Sequence, residues 1–438
     1  MGEELRVTVV GAGLAGCEAA YFLAGRGFRV RLVECKPARF TPAHASEGFA
    51  ELVCSNSLKS NDVYGNACGL LKEEMRRLGS LVIEAADATR VPAGGALAVD
   101  RAAFSAYITE KIGAQANIEV VCEEASRIPA GPCIVATGPL TLDALAADIA
   151  ARLGGSLFFY DAAAPIVAAD SIDFSKTFTA DRYGRGEGDY VNCPLSREEY
   201  DAFVDALVSA ERANEHGIDK RELFEGCMPV EAMAARGRDT LRFGMLKPVG
   251  LYDADGKRPY AVLQLRKENC AGTAYNMVGF QTNLKFPEQK RVFSMIPALR
   301  GAEFLRYGVM HRNTYLNAPQ VLSPDYSLRA DPLVFFAGQI TGVEGYVESA
   351  DSGLAAAIAL ACKLRGIPPV EWDEETVTGA LARHVSQPTE NFQPMNANYG
   401  ILRPLAEHVR DKALKKRRLA ERALERIDRV AAALREQL

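Results

Sequence analysis

The mostly apolar run Leu5–Val10 stops at Gly11-Ala12-Gly13-Leu14-Ala15-Gly16, and a helical pattern follows to about Arg26. This sequence of strand, glycine turn and helix restricts the fold more than anything else in the chain. Glycines permit the tight turn and let backbone approach a pyrophosphate, whose charge rests on the helix N-terminus. A second strand pattern, FRVRLV, ends at Glu34, 18 residues after Gly16. A carboxylate there can accept hydrogen bonds from a ribose diol. A bare GxGxxG is a weak signal, whereas this ordered context predicts dinucleotide binding.

Two further segments bear on which dinucleotide is bound. Cys133–Gly138 reads as a short buried strand ending in the turn Ala136-Thr137-Gly138, and Leu333–Gly338 repeats the pattern before Gln339, Gly342, Val343 and Gly345 lead into a helix. A helix N-terminus aimed at the flavin pyrimidine edge would stabilise negative charge near N1. Three pieces spread over the chain favour FAD over a nicotinamide nucleotide. S-adenosylmethionine domains share the glycine turn but lack the distant third segment.

Between these pieces the alternation changes, with strands such as APIVAA and YAVLQL among helices and loops. The expected fold class is α/β: a Rossmann-like FAD-binding domain of the two-dinucleotide-binding type with an inserted α+β domain. The expected limits are 1–139 and 332–402 for the discontinuous FAD domain, 140–331 for most of the insert, and 403–438 for a C-terminal basic helix. The 438 residues suffice for two or three packed domains.

Ten cysteines occur without a C-x-x-C pair, and the five histidines fall into no ligand spacing, so no metal site is expected. No uncharged apolar stretch reaches the roughly 18 residues of a membrane span, and no secretory leader is evident. With scattered thiols, these features predict a cytoplasmic protein in a reducing compartment, away from membranes. A net charge of −5 exerts no global pull on nucleic acid, although a local basic stripe would suffice.

The motifs GAGLAG, FAELVCSNSLKSN, LLKEEMRRLGSLV, FEGCMPVE, VGFQTNLKFPEQKR, YGVMHRNTYLNAP, GVEGYVESADSG and FQPMNANYG resemble those of the folate- and FAD-dependent tRNA (uracil-5-)-methyltransferases, relatives of the GidA flavoproteins. The resemblance runs to about Gly400. It implies methylation of a T-loop uridine in tRNA, using methylenetetrahydrofolate, reduced FAD, and NADH or NADPH as electron source. The same chemistry on ribosomal RNA is an alternative. So is wobble-uridine modification, although the flavoproteins that perform it are longer and end in an extra helical domain. No obligatory protein partner is implied.

The chemistry is coherent. A folate-borne carbon at the formaldehyde level needs two more electrons to become methyl, and a flavin can supply them. Uracil C5 becomes nucleophilic once a thiolate adds at C6. By the resemblance, Cys227 in FEGCMPVE is that nucleophile. Cys54 in ELVCSNS is the second catalytic thiol, serving as base for the C5 proton or guarding a reactive flavin state. His311 is a candidate to stack on the pterin, with Tyr346 edging the same pocket. Asn313 and Lys285 are weaker folate candidates, and Lys285 reads more readily as a surface cation.

For RNA, Arg236, Arg238 and Arg242 follow Cys227 closely. The chain from Arg403 onward carries eleven Lys/Arg against six acids. That helix could neutralise phosphates, or be a solvated helix with ion pairs such as Glu425–Arg429.

Overall fold

Five short strands build the first sheet of the computed structural model; two of them, Cys133–Val135 and Val334–Phe336, are wholly apolar because both their faces are covered, while the edge strand Ile118–Cys122 stays largely open to solvent. Their order is Val334–Phe336, Cys133–Val135, Arg6–Val10, Arg29–Glu34, Ile118–Cys122, and every neighbouring pair is parallel. The structure describes residues 5–41, 43–154, 156–184, 188–213, 228–253, 255–389 and 392–438, with backbone alone for 156–162 and 311–312. This is the doubly wound arrangement expected, with the glycine turn at the carboxyl end of the central strand.

Helix Leu14–Ala24 follows that turn and packs on the long helix Tyr346–Arg365. Contact is close because Gly353 lacks a side chain: a Cβ there would lie 2.2 Å from the Ala15 carbonyl oxygen. The C-terminal helix spans Lys412–Gln437 and buries Leu419, Ala423, Ile427 and Leu434 in the same core. It starts later than the expected 403 because Asp411 caps it, accepting the Leu414 N–H at 2.7 Å.

The inserted domain is a six-stranded antiparallel sheet in the order Phe178–Thr179, Tyr190–Leu195, Ala261–Lys267, Ala274–Met277, Ile166–Ala168, Phe304–Arg306. Alternation sorts its two faces. Val191, Cys193, Leu195, Leu263, Leu265 and Met277 form one core with residues of helix Arg197–Ser209 and helix Phe286–Phe293. The alternate positions Asn192, Gln264, Arg266 and Asn276 are also buried.

The chain enters and leaves the insert through one ladder, Ser156–Ala162 against Met310–Leu316. Leu145, Ile149, Tyr315 and Leu322, which the expected limits assigned to the insert, pack in the first core. The packing boundary therefore falls inside 140–331 at both ends. Among the described residues, no helix is long and apolar enough to cross a membrane.

Candidate active site

The glycine turn works through two approaches. Gly11 has φ +97°, and a Cβ there would sit 2.7 Å from the Ala136 oxygen; at Gly16 it would sit 1.8 Å from the Gly11 oxygen. Only glycine lets three backbone segments meet this closely. At Gly13 and Gly138, by contrast, no atom lies within 4 Å of where a Cβ would be. Helix Leu14–Ala24 begins at Gly13 with no side-chain cap, so its first-turn N–H groups and their positive dipole end are left for an anion.

Glu34 is buried. Its carboxylate accepts the Ala12 N–H at 2.6 Å and the Lys36 N–H at 3.0 Å. Around these groups opens a cleft of about 1130 Å³, including its mouth. The stretch Gly11–Ala15 and Glu34 form one wall, Thr137 and Gly138 a second, Gly338, Gln339 and Tyr346 a third. Gly16 instead serves the packing behind the turn. Val343 is buried and bridges Met395. Uncapped N–H groups, a carboxylate on the wall and space above two glycines fit a dinucleotide.

The cleft also takes in side chains not anticipated from sequence. His44 lines it, its Nδ1 2.6 Å from the Thr41 hydroxyl. Burial, reinforced by the charge of Lys36, holds the imidazole below its ordinary range, so it is neutral near pH 7. Lys36 donates to the Ser46 carbonyl at 3.1 Å and the Gly48 carbonyl at 2.5 Å, fixing the loop that carries His44. A single loop histidine has no periodic signature, which is why sequence reasoning passed over it.

Cys54 follows Val53, another lining residue, and its sulfur lies 2.9 Å from the Tyr346 hydroxyl. From the inserted sheet, Arg266 donates through Nε to Asn56 Oδ1 and through Nη2 to Ser55 Oγ, both at 2.8 Å. Asn56 is fully buried and donates to the Val99 and Lys267 carbonyls at 3.0 and 2.9 Å. The loop bearing Cys54 is thus tied to both domains.

Other expected residues have partners of their own. Arg238 pairs with Asp201 at 3.1 Å and with Asp205, while Arg236 is exposed on the same segment. Lys285 pairs with Glu211 at 2.7 Å. Asn313 is buried in the ladder between the domains, and the His311 backbone pairs with Asp161 there. Cys227 lies outside the described residues. The ion pair Glu425–Arg429 is present, as are Arg417–Glu421 and Arg418–Glu407 on the C-terminal helix.

The fold and the cradle define a flavoprotein of the two-dinucleotide-binding type. Solved structures of Aquifex aeolicus GidA share this fold, with TM-scores of 0.71 and 0.67 at 16% and 17% identity, covering 99% of this chain and 74% and 79% of theirs. Residues 6–368 match the family described as Glucose inhibited division protein A. Curated relatives named methylenetetrahydrofolate–tRNA-(uracil-5-)-methyltransferase TrmFO are closer. The one from Geobacter sulfurreducens is 59% identical over 96% of this chain and 98% of its own length. Those from Acetivibrio thermocellus and Listeria monocytogenes are 57% and 55% identical over 95% and 98% of this chain, and over 97% and 100% of theirs. This chain belongs to the TrmFO family.

Proposed function

We propose that this protein transfers a methyl group to C5 of a uridine in the T-loop of tRNA, with bound FAD, methylenetetrahydrofolate as carbon donor and NADH or NADPH as reductant. One observation carries the reading: a cleft with a dinucleotide cradle on two walls has on its third wall Tyr346, which holds the Cys54 thiol. Relatives 54–59% identical over nearly the whole chain bear the name of this reaction.

When bound, FAD supplies the two electrons that turn a formaldehyde-level carbon into methyl. The chain does the rest. First-turn N–H groups of helix Leu14–Ala24 hold the pyrophosphate, and Glu34 accepts from the ribose. Cys227 adds through sulfur to uracil C6, which gives C5 its nucleophilic character, and the S–C6 bond breaks once C5 has gained the methyl and shed its proton. Cys54 receives that proton. The Tyr346 hydroxyl favours its thiolate beforehand, since a hydrogen bond to an anion is stronger than one to its neutral form.

The test is incubation of the flavin-loaded protein with unmodified tRNA, labelled methylenetetrahydrofolate and NADPH. Label in 5-methyluridine is the expected result. Label only with a ribosomal RNA fragment would change the substrate. A colourless protein that cannot be reconstituted with FAD would end the proposal.

A further inference from the structure

Away from the cleft, three large aromatic side chains of the inserted domain face solvent on two segments that meet where the Tyr183 N–H reaches the Gly250 carbonyl. Phe243 is 75% exposed, Tyr252 59% and Tyr183 55%. Single exposed aromatics need no explanation, but a group interleaved with cations does. The Arg242 guanidinium lies 5.8 Å from the Phe243 ring centre, and Lys247 Nζ lies 5.8 Å from that of Tyr183.

The surface is held from beneath. Arg182 Nη2 donates to the Met245 and Lys247 carbonyls at 3.2 and 2.8 Å, and the Tyr183 N–H donates to the Gly250 carbonyl at 3.3 Å. Tyr183 has φ +63°, a left-handed conformation that persists for a tyrosine where its surroundings fix it. A held Tyr183 with Lys247 beside it, and an exposed Phe243 with Arg242 beside it, offer ring faces and cations to flat anionic ligands.

The location also fits. The Asp181 carboxylate, two residues before Tyr183, accepts the Gly188 and Asp189 N–H groups. Asp189 in turn accepts the Gly94 N–H, and the Tyr190 hydroxyl donates to the Ala93 carbonyl. The patch thus begins beside the seam where the inserted sheet meets the FAD domain. Tyr190 pairs with Arg266, the residue that reaches the Cys54 loop.

We propose that Tyr183, Arg242, Phe243, Lys247 and Tyr252 form a stacking platform for unpaired nucleotides of the RNA substrate. This rests on the RNA reading above. Every base has a π-face, so the rings serve for affinity whatever the sequence, and the cations meet phosphates.

The experiment titrates the flavin-loaded full chain into a fluorescein-labelled hairpin RNA with a single-stranded loop, by anisotropy, across a series of KCl concentrations. Phe243→Ala and Tyr252→Ala are each expected to weaken binding about tenfold at every salt concentration. The slope of log affinity against log salt stays unchanged for both. Lys247→Ala lowers that slope by about 0.7, one single-strand phosphate contact. Tyr252→Phe, which keeps the ring, binds as the parent does. Affinities within twofold of the parent for both alanine variants would overturn the platform. So would a change of oligomeric state on sedimentation in place of lost RNA affinity, since the rings would then cover another protein. Failure of the parent itself to bind or methylate RNA is a different result: it removes the RNA reading and the platform together.

Discussion

The Tyr346 hydroxyl uses its whole hydrogen-bonding capacity on one short stretch of chain 292 residues away: it accepts the Cys54 N–H at 2.7 Å and the Ser55 N–H at 3.2 Å, and donates to the Cys54 sulfur at 2.9 Å. Burial pushes the phenol well above its ordinary range, so it remains a donor at any working pH. One side chain at the start of helix Tyr346–Arg365 therefore sets both the backbone of the thiol loop and the polarity around its sulfur.

Tyr346→Phe removes that donor and strands two N–H groups. Alkylation of Cys54 by iodoacetamide at neutral pH, followed by peptide mass spectrometry, is expected to slow several-fold, and methylation about tenfold or more. An unchanged alkylation rate would mean that the hydroxyl is only structural.

Arg266 reaches the same loop from the other domain. Arg266→Gln loses the charged two-point grip on Ser55 and Asn56 and is expected to lower the methylation kcat by about 10–100-fold with a smaller change in KM, because misplacement rather than lost substrate contact is the cause. Arg266→Lys keeps the charge and one bond and should recover part of the rate. Equal effects on kcat and KM in both variants would place Arg266 in substrate binding.

Much of the cradle could be read from the chain because its determinants are local. Glycines at 11, 13 and 16, a strand before them and an acid at 34 lie within one supersecondary unit, and the structure builds them as the pattern implies. The tie between Arg266 and Asn56 spans 210 residues and depends on how two domains dock. In sequence, Gln264 and Arg266 read only as the polar half of a strand; that this half is buried against another domain has no local mark. Arg238 shows the reverse. Its place just after Cys227 drew it towards RNA, whereas Asp201 and Asp205, distant in sequence, engage it at the surface; Lys285, which reads more readily as a surface cation, pairs with Glu211 there.

Two glycines three residues apart should behave oppositely. Gly13→Ala puts a methyl into open space at an ordinary extended backbone, so thermal stability of the flavin-free protein should barely change while FAD retention falls, read from the visible absorbance per mole of protein. Gly16→Ala forces a methyl onto the Gly11 oxygen and should cost roughly 2 kcal/mol or more of stability. Loss of flavin in the second variant alone would show that the space above Gly13 is not where the cofactor lies.

The last prediction concerns buried acids behind the cleft. Thr378 Oγ1 lies 2.7 Å from Asp351 Oδ1 and 3.0 Å from Glu74 Oε2, yet a hydroxyl has one proton to give. Both Glu74 oxygens also accept N–H groups, from Val377 and Thr378, so above about pH 7, where Glu74 is ionised, it is the acceptor and Asp351 carries the second proton. Burial drives Asp351 well above its ordinary value, in agreement. Asp351→Asn, which keeps a donor, should change stability by less than about 1 kcal/mol. Thr378→Val leaves the chain of hydrogen bonds broken and should cost about 2–3 kcal/mol. Burial likewise pushes Glu74 and Glu18 up to about 7 from an ordinary 4.5. A carboxyl raised on folding contributes stability that is full below about 4.5 and lost as pH climbs to about 7, on the order of 3 kcal/mol for each group. Urea midpoints should therefore fall from pH 5 to pH 7.5, and Glu18→Gln and Glu74→Gln should each flatten that slope whatever they do to the level. A slope that either substitution leaves intact would mean that the charged form of that acid is already paired in the fold.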